Sequence, residues 1–216
     1  MNICYLSTFY PYRGGIAQFN ASLFRALQER HNVSAFNFSR QYPNILFPGT
    51  SQYVEPGDQA DPIDSRRTLD SINPFSFYHT ARKIKERHPD LLIISYWTSF
   101  FAPSLGTVAR QLKPLTRVVS ILHNVVPHEQ KFIDRPLIRY FVRQNHGIVV
   151  MSSASEADLL STTSSVNRYV KIPMPINTHF GKSVDQIEAR KRLGIPEGKR
   201  TLLFFGLIRH YKGVDL

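Results

Sequence analysis

The sequence predicts an α/β fold in which a parallel β-sheet carries helices on both faces. Short apolar runs of four to six residues alternate with longer amphipathic stretches along most of the chain. These runs are nearly continuous in Leu, Ile, Val and Phe, which is typical of strands buried on both faces of a parallel sheet. Ligands of such sheets bind beyond the carboxyl ends of the strands, so the residues that follow each strand are the first candidates for a site.

The elements follow from hydrophobic periodicity. The first helix has Ile16, Phe19 and Leu23 at helical spacing, and Pro89 ends the second helix because proline cannot continue one. The predicted strands are residues 2–7, 32–38, 90–95, 117–122, 147–151, 169–172 and 202–205. The predicted helices are residues 14–30, 75–88, 100–113, 136–145, 154–161 and 186–193.

Two features bear on domain organisation. Residues 39–74 are polar and contain five prolines, so we expect a long loop there that is either functional or mobile. A new strand begins after the polar stretch at 196–199, which predicts one domain over 1–195 and the start of a second over 196–216.

Charge is the main compositional signal, because the 216 residues carry a net charge of +11. A nucleic acid, an anionic membrane or a phosphorylated substrate would each suit it. We find no zinc spacing, recognition-helix pattern or RNA-binding aromatic motif, so we predict no nucleic-acid partner. Cys4 is the only cysteine, and there is no signal peptide and no apolar run near the ~18 residues that span a bilayer. We therefore expect a cytoplasmic protein that contacts a membrane only from its surface.

Gly14 and Gly15 follow the first strand. Paired glycines at a strand-to-helix turn let the backbone approach a ligand and direct N–H groups at it, although a plain tight turn is equally compatible with an isolated pair. The second strand ends without a carboxylate to hold a ribose, which argues against a nicotinamide enzyme.

His123 and Asn124 follow the strand at 117–122. A histidine at a strand end can donate or accept a hydrogen bond in the ligand crevice, and the alternative is a histidine satisfied by nearby backbone. His123, His128 and Glu129 match no zinc signature, so we predict no metal site.

The last sixteen residues combine an apolar run, Gly206 and two cations, Arg209 and Lys212. Cations at short range and the free N–H groups of a helix start suit a dianionic phosphate. The chain stops inside this motif, at Leu216, so we expect a protein cut short.

Arg135, Arg139 and Arg143 recur every fourth residue on one helix face. They form either an ordinary solvated face or a surface for anionic lipid headgroups, where each cation adds ~1 kcal/mol.

These residues together resemble the family 4 glycosyltransferases, also called glycosyl transferases group 1. The resemblance rests on the glycine pair of 14–17, the motif H-N-V-V-P-H-E at 123–129 and the motif F-G-L-I-R-H-Y-K-G-V-D at 205–215. The three occur in the family's order over the whole chain.

The resemblance implies the GT-B fold, with two Rossmann-like domains facing each other across a cleft. The N-terminal domain binds the acceptor, and the C-terminal domain binds a nucleotide-diphosphate sugar. The sugar is transferred with retention of configuration, without a metal or other cofactor, in the synthesis of a surface polysaccharide or glycolipid on a saccharide or lipid-linked acceptor.

The resemblance also implies residue roles. Gly14 and Gly15 approach the donor, His123 contacts the transferred sugar, and Asn124 and Gly206 belong to the donor site. The last motif carries two cations that neutralise the diphosphate leaving group, Arg209 and Lys212.

This sequence departs from the family pattern in two places. Leu207 holds the position directly after the glycine where many relatives have arginine, and the role carries to Arg209. The paired-glutamate motif of the donor domain is absent up to Leu216, so we expect no transferase activity from these residues alone. The alternatives are a non-catalytic Rossmann-like module that binds a sugar or nucleotide, and a GT-B-like sugar-nucleotide epimerase or phosphorylase.

Overall fold

The computed structural model describes residues 1–43, 45, 47, 51–58, 60–126, 131–163, 168–176, 181–204, 206 and 213–214. They form two compact units, Met1–Met174 and Pro175–Leu216. The break between the two units falls earlier in the chain than the domain boundary predicted at 195/196. The predicted division into an acceptor domain and the start of a donor domain remains a prediction.

The first unit is a seven-stranded parallel sheet in the order β3-β2-β1-β4-β5-β6-β7. Its strands are β1 (Asn2–Leu6), β2 (Asn32–Arg40), β3 (Ser65–Asp70), β4 (Leu91–Tyr96), β5 (Arg117–Leu122), β6 (Gly147–Val150) and β7 (Tyr169–Lys171). Its helices are α1 (Gly15–Gln28), α2 (Pro74–Lys85), α3 (Ala102–Leu112), α4 (Asp134–Arg143) and α5 (Ser153–Thr162), with a 3-10 turn at Ser99–Phe101. The predicted α/β fold with a Rossmann-like parallel sheet is confirmed.

Two apolar clusters cover the two faces of the sheet. One contains Phe19 and Phe24 of α1 with Ile93 of β4 and Ile121 of β5. The other contains inward residues of α2, α3, α4 and α5. Side chains alternate across a strand, so neighbouring residues of each strand serve opposite clusters. Helix α1 therefore packs on one face and α2–α5 on the other, as right-handed crossovers require.

The prediction of a continuous loop over 39–74 is wrong, because β3 lies within it. The register pairs Ala35 with Ser65 and Arg40 with Asp70 at the edge of the sheet. Only Leu69 of this strand is fully buried, since an edge strand covered on one side needs few apolar residues. Because the sequence of β3 is mostly polar, hydrophobic periodicity does not reveal this strand.

The prediction of a buried strand at 202–205 is also not met by the described residues. Residues 201–204 have no regular structure, and Leu202 and Leu203 are fully and largely exposed. A strand needs neighbours to pair its backbone groups, and the sheet of the first unit does not include these residues. The second unit does contain the predicted helix α6 (Gln186–Leu193), which Asp185 caps by accepting hydrogen bonds from Ile187 and Glu188.

A buried polar network joins α1 to the tips of β1 and β4. Asn20 Oδ1 accepts hydrogen bonds from Tyr5 Oη at 2.6 Å and Ser95 Oγ at 2.7 Å. Asn20 Nδ2 donates to Ser7 Oγ at 2.7 Å and to the Thr8 carbonyl at 2.9 Å. All four bonding positions of this amide are used, so the network fixes the helix in one place on the sheet.

Asn20→Ala is expected to lower the free energy of unfolding by about 2–4 kcal/mol, because it leaves several buried polar groups without partners. Trp97, the only tryptophan, reports unfolding in urea through its fluorescence. The control is Asn32→Ala, which removes one exposed bond to Asn2 and should cost less than about 0.5 kcal/mol. Equal losses in the two variants would contradict a special role for Asn20.

Candidate active site

The candidate site lies at the carboxyl edge of the sheet, where the strand order reverses. The chain moves outward from β1 to β2 and β3 and then returns to β4 on the other side of β1. The connections after β1 and β4 therefore diverge and leave a crevice at the strand ends. The connection after β5 lies next to it, because the N–H of His123 donates to the carbonyl of Tyr96 at 2.8 Å.

The glycine pair forms the start of α1 on one side of this crevice. Gly14 has φ 114° and ψ 167°, a conformation that favours glycine, and it precedes the first helical residue, Gly15. The helical bonds begin with Gln18, whose N–H donates to the Gly14 carbonyl at 3.2 Å. No side chain in the described part of the protein caps this helix. The first N–H groups of α1 are thus available to a ligand acceptor atom.

Space around the glycines agrees with this arrangement. Outside its chain neighbours and its own helix, a Cβ atom built on Gly14 or on Gly15 would meet no atom of the described residues within 4 Å. Close packing therefore does not explain why these two positions are glycine. The positive φ of Gly14 explains glycine at that position. Gly15 has neither a positive φ nor a close neighbour, so its lack of a side chain leaves open space at the helix start.

His123 lies beside α1. Its ring packs edge-on against Phe19, with ring centroids 4.8 Å apart and an interplanar angle of 88°. Its Nε2 atom is buried and has no hydrogen-bond partner among the described residues. Burial lowers the pKa of His123 from 6.5 to about 4, because the charged imidazolium loses hydration. The imidazole is therefore neutral near pH 7, and its Nε2 atom can donate a hydrogen bond to a ligand hydroxyl or accept one from it.

The structure thus brings His123 close to the start of α1. The link is Phe19, which contacts the His123 ring and lies one helical turn after Gly15. Asn124 follows at the same edge with an exposed side chain. Gly206 belongs to the second unit and has φ 130°, again a glycine conformation. Arg209 and Lys212, like His128 and Glu129, lie outside the described residues.

An aromatic group lies at the same edge. Trp97 follows β4, and its Nε1 donates to Tyr42 Oη at 3.0 Å. Tyr42 in turn stacks on Phe100, with ring centroids 5.5 Å apart. These rings are half-buried, so they offer flat apolar surface beside polar groups at the strand ends.

Asn20 and Asn37 are further polar residues that the sequence analysis missed. Asn37 plays a similar part: it lies in the buried part of β2 and forms hydrogen bonds with the backbone of Phe9 and Tyr10 after β1. The available signal was an amide within an otherwise apolar face, at Asn20 between Phe19 and Phe24 of α1. Both residues hold the connection that leads to Gly14.

The predicted cationic face of α4 is exposed at Arg135, Arg139 and Arg143. Arg139 Nε donates to the Thr162 carbonyl at 2.7 Å, and the Arg143 carbonyl accepts from Lys113 Nζ at 2.8 Å. No helix within the described ranges is both long and apolar enough to cross a membrane. In the same part of the chain, no three His, Cys, Asp or Glu side chains cluster as metal ligands would.

The depressed pKa of His123 predicts a pH dependence of stability. Between pH 6.5 and about 4 the unfolded chain binds a proton that the folded chain excludes, so stability falls as the pH falls through this window. At 1.36 kcal/mol per pKa unit the loss reaches about 3 kcal/mol near pH 4.

His123→Gln removes the titrating group and should flatten this part of the profile, measured as the free energy of unfolding in urea from pH 7 to pH 4. Other acid-sensitive groups contribute to both proteins and cancel in the difference. Parallel profiles for the two proteins would show that His123 is solvated and not buried against Phe19.

Comparison with protein families and known proteins assigns the chain to a family. The sequence model described as Glycosyltransferase Family 4 matches residues 13–180, which include the glycine turn and His123. No curated protein matches the chain. Among solved structures, an alpha-glucosyltransferase in complex with UDP and a 13-mer DNA containing a central A:G mismatch is 16% identical, with a TM-score of 0.47. The match covers 74% of this chain, which spans 39% of the length of that enzyme. Because the family match extends over most of the sequence, the chain belongs to Glycosyltransferase Family 4.

Proposed function

We propose that this chain is the acceptor-side part of a retaining GT-B glycosyltransferase. The whole enzyme would transfer a sugar from a nucleotide-diphosphate sugar to a saccharide or lipid-linked acceptor, in the synthesis of a surface polysaccharide or glycolipid, without a metal or other cofactor. The observation that carries the proposal is the buried Nε2 of His123 beside the start of α1, both without a side-chain partner among the described residues.

The proposed reaction breaks the bond between the sugar C1 and the diphosphate oxygen. A new bond forms between C1 and the acceptor oxygen on the same face of the sugar, and the acceptor proton leaves with the diphosphate. His123 is neutral near pH 7 because its pKa is about 4. Its role is therefore to form a hydrogen bond, as donor or acceptor, with a hydroxyl of the transferred sugar. The N–H groups after Gly14 would approach the donor phosphates or sugar.

Negative charge builds on the diphosphate as the C1–O bond breaks. Fixed cations beside it stabilise the transition state more than the ground state. We assign this role to Arg209 and Lys212 from the sequence motif, with Asn124 and Gly206 in the donor site.

Gly15→Ala tests the site without disturbing the fold. The added methyl group meets no atom of the described residues beyond its own helix within 4 Å, and Gly15 has no positive φ, so stability should not fall. If a donor approaches the backbone here, kcat/KM for sugar transfer should drop at least about tenfold, since displacing a donor contact by a methyl group costs more than about 1.4 kcal/mol. The assay uses the protein that contains this chain, with a panel of nucleotide sugars and candidate acceptors.

The matched control is Gly147→Ala at the amino edge of the sheet, where the new Cβ lies an ordinary 3.7 Å from Val119. It should keep both activity and stability. Unchanged sugar transfer by the Gly15→Ala variant would show that the glycine turn is not part of the donor site.

The same assay on the unsubstituted protein separates the alternative functions. Binding of a nucleotide sugar without turnover would identify a binding module, and isomerisation of the nucleotide sugar would identify an epimerase.

Lys212→Ala should reduce kcat/KM by about 10- to 100-fold, because it removes a charge-assisted contact worth ~1.5–3 kcal/mol at the leaving group. Lys191→Ala on the exposed surface of α6 is the control and should leave transfer unchanged. Equal activity of the two variants would make Lys212 an ordinary surface charge.

A further inference from the structure

A cavity at the amino edge of the sheet lies opposite the candidate active site. It has a volume of about 410 Å³, and its lining includes three groups that can donate hydrogen bonds to an anion: Lys113, Arg117 and His146. Arg117 begins β5, and His123 follows the end of the same strand. At about 3.3 Å per residue, the two ends of this strand are about 20 Å apart. The cavity is therefore separate from the site of the proposed reaction.

His146 is held by the backbone through one ring nitrogen, and the other nitrogen remains free. The Val118 N–H donates to its Nδ1 atom at 3.0 Å, and the His146 N–H donates to the Val118 carbonyl at 2.8 Å. A ring nitrogen that accepts a hydrogen bond carries no proton, so the neutral ring has its proton on Nε2. This Nε2–H group has no partner among the described residues and can donate to a ligand.

Three cations lie close enough to His146 to act on its ring electrostatically. Burial lowers the pKa of His146, and the positive charges of Lys113, Arg117 and Arg168 lower this pKa further. Within the described ranges, Arg117 and Arg168 form neither an ion pair nor a side-chain hydrogen bond. An anion placed among these cations would be attracted by all three.

Capping of helix ends does not account for this group of cations. Helix α4 ends at the same edge, and cations commonly neutralise the carbonyls of a last helical turn. The last four carbonyls of α4 already accept hydrogen bonds from Gln144, Asn145 and Lys113. Lys113 uses one of its three N–H donors in this way, whereas Arg117 and Arg168 take no part. Two cations and the Nε2–H of the histidine thus remain for a ligand.

Asp90 is the one carboxylate in the described lining of the cavity. Its Oδ2 atom accepts the Asn2 N–H at 2.8 Å, and no cation of the described residues lies within 4 Å of this carboxylate. Asp90 therefore does not pair with Arg117 or Lys113. The two lining cations outnumber this single acid, so the cavity keeps a net positive charge.

We propose that this amino-edge cavity binds a small phosphate-bearing anion, with Lys113, Arg117 and the Nε2–H of His146 donating to its oxygens. A phosphate monoester or a diphosphate offers only acceptor oxygens and about two negative charges near pH 7, which suits a lining of donors. Arginine fits such a group because its planar guanidinium donates two parallel hydrogen bonds. The binding does not rest on the proposed function, since none of these residues belongs to the candidate active site.

Pyrophosphate is the probe that tests this site. Binding is followed by calorimetry and by NMR of the histidine side chains, with the ionic strength held constant by potassium chloride. We expect saturable binding that shifts the His146 ring signals. The chain has eight histidines, and the His146→Gln variant identifies the signal. No saturation up to about 10 mM pyrophosphate, or saturation with the His146 signals unchanged, would overturn the proposal.

Arg117→Gln should weaken pyrophosphate binding at His146 at least about tenfold, because a charge-assisted hydrogen bond is lost. The matched control is Arg135→Gln, which removes the same charge from an exposed arginine in the first turn of α4, toward the opposite edge of the sheet. This control should keep the affinity within about twofold. Equal losses in the two variants would show attraction by net charge alone and contradict the site. Circular dichroism verifies that both variants are folded.

The outcome is independent of sugar transfer. Pyrophosphate bound at the candidate active site would shift the ring signals of His123, which the same spectra separate from those of His146. Failure of sugar transfer with binding at His146 intact would count against the proposed function alone. Sugar transfer without any response of His146 to pyrophosphate would count against the amino-edge cavity alone.

Discussion

The side-chain amide of Asn20 fixes α1 against the sheet at the point where the strand order reverses. It forms hydrogen bonds with Tyr5 of β1, with Ser7 directly after that strand, and with Ser95 of β4. Apolar contacts tolerate small slides of a helix, but four buried hydrogen bonds are satisfied together in only one position. The placement of Gly15, five residues earlier on the same helix, therefore depends on this amide.

Most of the sheet could be predicted because its central strands are buried on both faces. Such strands must be apolar throughout, so β4, β5 and β6 stand out from the helices between them. The edge strand β3 lacks this signal because its outer side needs no apolar cover. The prediction of a strand at the exposed residues Leu202 and Leu203 fails for the opposite reason. These residues are apolar, but a strand also requires a neighbouring strand to pair with.

The site could be predicted in its parts but not in its assembly. His123 and the glycine pair attract attention because polar or flexible residues at strand ends are placed where this architecture binds ligands. The packing of His123 on Phe19 joins residues far apart in the chain, and no local pattern encodes it. The same holds for the pKa of His123, since burial depends on the tertiary contacts.

The electrostatics of the first unit explain why the proposal needs the C-terminal motif. At the glycine turn the adjacent cation is Arg13, which is held by Glu55 at 3.1 Å and Asp58 at 3.4 Å. His123 is neutral near pH 7, and the cations of α2–α4 lie on the outer helical surface. N–H groups and a neutral imidazole can orient a sugar, but they do not balance the charge of a departing diphosphate. Fixed cations would balance that charge, and this is the role that the proposed function assigns to Arg209 and Lys212.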